Sequence, residues 1–236
     1  MLKLPEGITA LLFDLDGVIT QTAKLHAAAW KEMFDAFLRE RAEETGEPFQ
    51  EFTPSDYDRY VDGRPRLDGV RTFLAARGIE QEDELVRTLG DTKNDLVLKL
   101  IRERGVEVYE GSLDFVKEAR REGLPRAVVS SSANTREVLK SVGIEDLFEA
   151  VVDGLVAERE GLPGKPAPDT FVAGARALGA DPAQAVVFED ALAGVEAGRA
   201  GGFGYVVGVD RTGQRDALAQ HGADIVVDDL SELIER

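Results

Sequence analysis

The chain has 236 residues, 43% of them hydrophobic, enough for one large domain or a domain carrying a substantial insertion. Its 45 Asp and Glu outnumber 28 Lys and Arg for a formal charge of −17, which opposes binding to nucleic acid or to an anionic membrane, because phosphate backbones need a basic patch. With no cysteine and two histidines, disulfides, thiolate metal sites and cysteine nucleophiles are excluded, and any metal is expected to be a hard, oxygen-bound ion such as Mg²⁺.

The first element is a strand-length apolar run, Ile8 to Phe13, which ends on Asp14-Leu15-Asp16-Gly17. An early apolar run in an α/β chain reads as a buried parallel strand, and ligands bind beyond the carboxyl ends of such strands. Alternation sends Asp14 and Asp16 to one side and Leu15 back into the interior. Those two carboxylates stand where a nucleophile and its acid/base partner would sit, although an isolated Asp-x-Asp also reads as an acidic turn. No apolar run approaches the roughly 18 residues of a membrane span, and the early acidic residues argue against a signal peptide, so a cytoplasmic protein is expected.

After Gly17 the patterning is helical only: Ala23 to Glu44, Arg66 to Arg77, and Glu82 to Glu103 with breaks near Gly90, with a loop over Thr45 to Ser55. This stretch is expected to be a helical cap over residues 20–106, hinged on an α/β core made of 1–19 and 107–236.

From Ser112 on, helices alternate with short strands. Helical patterns cover Ser112 to Glu122, Thr135 to Val142, Thr170 to Leu178, Leu192 to Ala200 and Arg215 to Gln220. Strand patterns cover Ala127 to Val129, Ala150 to Val152, Ala185 to Phe188, Tyr205 to Val209 and Ile225 to Val227. Such βα units imply a Rossmann-like parallel sheet.

Three further polar groups follow these strands. Ser130-Ser131-Ser132-Ala133-Asn134 offers hydroxyls and amides at a helix start, which suit a phosphate and equally suit a helix cap. Lys165, in Gly164-Lys165-Pro166-Ala167-Pro168, sits in a loop stiffened by proline, where it could neutralise a transferring phosphoryl group or simply be an exposed loop lysine. Glu189-Asp190 closes the run from Ala185, where Asp190 could cap the next helix, or the pair could complete an oxygen-lined Mg²⁺ site opposite Asp14. Each plain alternative stands alone, but four such groups in one sheet make coincidence a poor account.

In this order the residues resemble the haloacid dehalogenase superfamily of phosphotransferases, whose motifs run Asp-x-Asp-Gly, Ser/Thr, Lys and an acidic pair. The resemblance implies that Asp14 is the nucleophile that becomes an aspartyl phosphate, Asp16 the general acid/base, and Mg²⁺ the cofactor, bound by Asp14, the Asp16 main-chain carbonyl and Asp190 with help from Glu189. A carboxylate is a competent nucleophile toward phosphorus when a metal and a lysine absorb charge. Within the superfamily, Asp14 to Ala23 followed by His26 and Trp30 is similar to the β-phosphoglucomutases. That family converts β-glucose 1-phosphate to glucose 6-phosphate through a 1,6-bisphosphate. The likeness implies that Thr22 and His26 steer the acid/base aspartate, that Gly63-Arg64-Pro65-Arg66 is a phosphate-binding turn of the cap, and that Lys93-Asn94-Asp95 is a further cap segment of the family. Without the family, Arg66 and Lys93 read as solvated helix charges.

Three departures from the family pattern stand out. Gln21 replaces an aspartate before the threonine, Ala133 replaces a lysine in the serine-rich loop, and the cap and the stretch from Val156 to Gly164 read as longer. The expected protein is a monomeric sugar-phosphate mutase. Its rival is a phosphatase of the same fold in which water attacks phospho-Asp14, and a signalling receiver is a more distant alternative that leaves Asp16 and the cap without a task. Arg64 and Arg66 favour the mutase, because a second phosphate grip lets a bisphosphate bind in either orientation.

Overall fold

The computed structural model describes residues 1–235. Two compact units emerge: Met1–Gln21 joined by the chain from Val106 onward, and Thr22–Gly105.

The first unit is built on strands β1 (Ala10–Phe13), β2 (Arg126–Val129), β3 (Ala150–Val152), β4 (Ala185–Glu189), β5 (Tyr205–Val209) and β6 (Ile225–Val227). Among the described residues these form one six-stranded sheet in the order β3-β2-β1-β4-β5-β6, with every pairing parallel. The order reverses at β1, the switch point beyond which ligands bind in open α/β sheets. Every residue of β1 is buried, as a central strand covered on both faces requires. Alternation sends Leu12 into a cluster with Val129, Phe171, Val187 and Val206. Phe13 turns the other way and stacks on Phe188 at 4.5 Å, with Phe115 set edge-on at 6.1 Å. The first of these clusters receives Phe171 of helix Asp169–Ala177 and the second Phe115 of helix Glu110–Arg121, so opposite faces of the sheet are covered by different helices.

The second unit is helical: α1 (Ala23–Thr45), a short turn α2 (Pro54–Asp56) running into a π turn at Tyr57–Val61, α3 (Arg66–Ala76) and α4 (Asp83–Arg104). Its interior is aromatic, with Phe34 packed on Trp30 at 5.3 Å, Phe52 at 5.0 Å and Phe73 at 4.1 Å.

The structure corrects several sequence expectations. Helix α4 runs unbroken through Gly90; a glycine there costs about 1 kcal/mol in helix propensity, but a Cβ would come within 2.7 Å of the Leu67 side chain, so packing overrides the local preference. Strand β1 starts at Ala10 rather than Ile8. A helix not foreseen from the pattern, Gly154–Glu160, is capped at its start by the Asp153 carboxylate accepting from Val156 N–H at 2.8 Å. No helix among the described residues is long and apolar enough to cross a membrane.

Candidate active site

Sheet register assembles the site. Phe13 lies level with Val128 on one side and Phe188 on the other, so Asp14, Val129 and Glu189 come next at one height along the carboxyl edge. The Asp14 amide donates to the Phe188 carbonyl at 2.9 Å, which keeps the chain in the sheet up to the residue that bears the carboxylate.

Lys165 is the centre of charge. It is 2% exposed, contrary to the plain reading of an exposed loop lysine. Its ammonium donates to Asp14 Oδ1 at 2.6 Å, to Glu189 Oε1 at 2.7 Å and to the Val129 carbonyl at 3.2 Å. Three donors thus meet three acceptors, as a buried ammonium needs. Burial alone would lower the Lys165 pKa, but the two carboxylates outweigh it and hold the group charged. Burial raises the Asp14 carboxyl well above its ordinary range; Lys165 opposes this, while Glu189 and Asp16 add repulsion.

Asp14, Glu189 and Asp190 each bring a carboxylate oxygen to within 4.8 Å of the others, and all three are buried. Such a set, with one lysine to balance it, is short of positive charge and consists of hard oxygen donors, which fits a cation such as Mg²⁺. The cap position of the following helix, Leu192–Ala200, is Ala191 rather than Asp190, and Glu189 Oε2 accepts the Ala191 amide at 2.8 Å.

Asp16 lies in a turn that closes on itself. Ile19 and Thr20 amides donate to the Leu15 carbonyl at 3.0 and 2.9 Å, and the Gly17 amide donates to the Thr20 carbonyl at 2.8 Å. Gly17 has φ +91°, and a Cβ there would fall 1.7 Å from Asp190 Oδ2. Only glycine lets this turn press against the second acidic loop. The Ser130 hydroxyl donates to Asp16 Oδ2 at 3.4 Å. In the serine-rich loop, Ser130 Oγ accepts the Ser132 amide at 3.1 Å and Ser132 Oγ accepts the Asn134 amide at 3.2 Å. Asn134 occupies the cap position of the helix Thr135–Ser141 without a side-chain cap bond, so these hydroxyls order the loop itself. Ser131 and Asn134 lie in the same loop and have interactions of their own.

The remaining candidates belong to the helical unit. Thr22 is buried at the start of α1. His26, one turn on, has Nδ1 3.0 Å from Lys93 Nζ on α4, and Lys93 lies over the Trp30 ring at 4.8 Å. Lys93 is therefore buried rather than a solvated helix charge. Gly63, at φ +69°, turns the chain after the π turn, with the Arg64 amide donating to the Val61 carbonyl at 3.3 Å. Arg66 opens α3 and pairs with the exposed Asp91 at 3.3 Å.

Two residues outside every motif also reach the loops of the site. Arg211 Nε donates to the Gly17 carbonyl at 2.7 Å, and Gln214 Nε2 donates to the Asp190 carbonyl at 3.0 Å. Both follow the end of β5, and that position at the sheet's reactive edge was the only signal available in the sequence.

The family model for haloacid dehalogenase-like hydrolases matches residues 8–202. A β-phosphoglucomutase of Mycobacterium tuberculosis is 52% identical over 247 residues, covering 99% of this chain and 94% of that protein. A phosphorylated carbohydrates phosphatase of Thermotoga maritima is 28% identical over 221 residues, covering 92% and 93%. Among solved structures, a β-phosphoglucomutase from Clostridium difficile superposes with a TM-score of 0.77 at 25% identity, covering 96% of this chain and 93% of that one.

Proposed function

The chain belongs to the haloacid dehalogenase-like hydrolases and, within them, to the β-phosphoglucomutase family; from that premise we propose that it interconverts β-D-glucose 1-phosphate and glucose 6-phosphate through phospho-Asp14 and a sugar 1,6-bisphosphate. The observation that carries the chemistry is the buried Asp14–Lys165–Glu189 cluster at 2.6 and 2.7 Å. Likeness to a β-phosphoglucomutase over the whole chain, helical unit included, supports the mutase over the phosphatase.

In this reading one Asp14 oxygen is taken up by Lys165 and the other attacks phosphorus. The bond from phosphorus to the sugar oxygen breaks as the bond to Asp14 forms, and Asp16 gives its proton to the departing oxygen. In the return step Asp16 takes the proton from the incoming hydroxyl. Ser130, Ser131, Ser132 and Asn134 bind the reacting phosphate. Gly63, Arg64 and Arg66 grip the phosphate that is not reacting; the Arg66 pair with Asp91 is weak enough, being exposed, to be exchanged for it. Thr22 and His26 steer Asp16, and Lys93 orients His26. A Mg²⁺ held by Asp14, Asp190 and the Asp16 carbonyl, with Glu189 in support, would let the carboxylates ionise side by side and would draw charge off the phosphoryl group. The enzyme is read as a monomer of the cytoplasm acting on a small phosphorylated sugar.

The test is direct. Purified protein with Mg²⁺, β-glucose 1-phosphate and trace glucose 1,6-bisphosphate should yield glucose 6-phosphate with little inorganic phosphate. Stoichiometric phosphate release without isomer would make the protein a phosphatase.

A further inference from the structure

The loop that follows β5 is built as a brace. The Asp210 carboxylate accepts four consecutive amides, from Thr212 at 3.1 Å, Gly213 at 2.7 Å, Gln214 at 2.9 Å and Arg215 at 3.1 Å. Burial works against the charged Asp210, but these amides outweigh it and hold its carboxyl below the ordinary range. A loop locked in this way presents its side chains from a fixed base.

From that base Arg211 reaches three separate segments. Its guanidinium donates to the Gly17 carbonyl at 2.7 Å, the Val18 carbonyl at 3.5 Å and the Asp228 carbonyl at 2.8 Å, and its plane lies 3.5 Å from the centre of the Tyr109 ring. The side chain is only 13% exposed, yet the nearest carboxylate, Asp229, stands 3.8 Å off. The charge is therefore held chiefly by neutral carbonyls and a ring, an arrangement that fixes geometry more than it neutralises charge. Only a planar fork with donors on several edges can do this. Tyr109 is itself tied to the Asp16 turn, because its amide donates to the Ile19 carbonyl at 2.9 Å. Gln214, three residues on, holds the Asp190 carbonyl. One rigid loop thus grips both the turn that carries Asp16 and the loop that carries Asp190, at the point where Gly17 is pressed against the Asp190 carboxylate.

We propose that Arg211 is a positioning residue that holds the Asp16 carboxyl in reach of the departing sugar oxygen. The proposal rests on the reading of Asp16 as the acid/base. When phosphorus passes from a sugar to Asp14, the sugar oxygen needs the Asp16 proton to leave as an alcohol. When it passes from p-nitrophenyl phosphate, the aryl oxygen leaves as a stable anion and needs no proton. A misplaced Asp16 therefore slows the first transfer and spares the second, whereas general damage to the site slows both.

The experiment compares single-turnover phosphorylation of the full-length protein, with Mg²⁺, by glucose 1,6-bisphosphate and by p-nitrophenyl phosphate, in wild type, Arg211→Gln, Arg211→Lys and Gln214→Leu. Arg211→Gln should slow transfer from the bisphosphate about 100-fold, the scale of a misplacement near 1 Å, while aryl transfer changes by less than about threefold and KM for the bisphosphate stays close to wild type. Arg211→Lys should fall between, whereas Gln214→Leu, which loosens the loop bearing Asp190 that both donors need, should slow both transfers alike and serves as the contrast. Equal losses with both donors in the Arg211 variants, or no loss with either, overturn the proposal. Should Arg211→Gln fail to fold, as melting would reveal, Arg211→Lys carries the same comparison. Wild-type protein that releases phosphate instead of isomer would overturn the mutase reading alone, because the ratio between the two donors still reports on Arg211.

Discussion

The candidate residues of the two units hold charge in different settings. In the sheet unit, Asp14, Lys165 and Glu189 are almost wholly buried and are one another's partners. In the helical unit the interior is a stack of rings around Phe34, and ion pairs such as Arg66–Asp91 and Arg71–Asp83 lie at the surface. A buried charge cannot exchange its partner for water, so the three groups of the sheet unit keep a single arrangement. A surface pair costs little to break, so the Arg66 guanidinium is held less firmly. Burial thus separates the fixed cluster around Lys165 from the looser pairs at the helical surface.

Substitutions should expose this division, and the largest effect is expected at Asp14. Asp14→Asn should reduce phosphoryl transfer by at least about 10⁴-fold, since an amide is no nucleophile toward phosphorus. The fold should survive, because Lys165 keeps its 2.7 Å contact with Glu189. Phosphoenzyme formation and thermal melting measure the two halves, and retained transfer or a collapsed fold would each contradict the account.

Next comes the interior of the other unit. Phe34→Ala removes a ring in contact with Trp30, Phe52 and Phe73 and should cost about 3–5 kcal/mol. Hydrogen exchange should rise across Thr22–Gly105 and stay slow in the strands. Uniform loosening of both units would mean that they do not hold their stability separately.

A smaller effect is expected at the surface charge assigned to ligand binding. Arg66→Ala should lower mutase efficiency by about 30- to 150-fold, which corresponds to about 2–3 kcal/mol for a charge-assisted phosphate contact. Hydrolysis of an aryl phosphate, which has no second phosphate, should be spared. Parallel assays of the two substrates decide the point, and equal losses would return Arg66 to a surface role.

The smallest effect concerns Asp56, which closes a capping box with Thr53 and receives Arg77 at 2.8 Å. Burial pushes its carboxyl up, but the Thr53 amide and hydroxyl and Arg77 together hold it below its ordinary value. A depressed carboxyl lends stability above its unfolded pKa and loses it as the pH falls through the folded one. Asp56→Asn should therefore cost about 1 kcal/mol at neutral pH and should flatten the acid limb of unfolding free energy against pH. Parallel acid limbs in wild type and variant would remove Asp56 from that role.

Legibility followed range. The ends of Ala150–Val152, Tyr205–Val209 and Ile225–Val227 match the runs visible in the chain, because each strand is a short apolar run between polar breaks. The groups at the strand ends were visible too: Asp14, Lys165, Glu189 and Asp190 stood out by type and position, and the structure gathers them. What was not visible depended on partners far away in sequence. Gly90 read as a break because its packing against Leu67 lies 23 positions upstream. Lys93 read as solvated because His26 and Trp30 belong to another helix.

By itself the sequence determined the parallel sheet with its inserted helical stretch and the acidic and basic groups at the reactive edge, since periodicity and chain termination of strands are local properties. Only the tertiary structure decided that Lys165 is buried between two carboxylates and that the loop after β5 grips the main-chain carbonyls of Gly17 and Asp190. Burial is a property of everything packed around a side chain. Carbonyl oxygens are the same in every residue, so a contact to one leaves no mark in the amino-acid sequence.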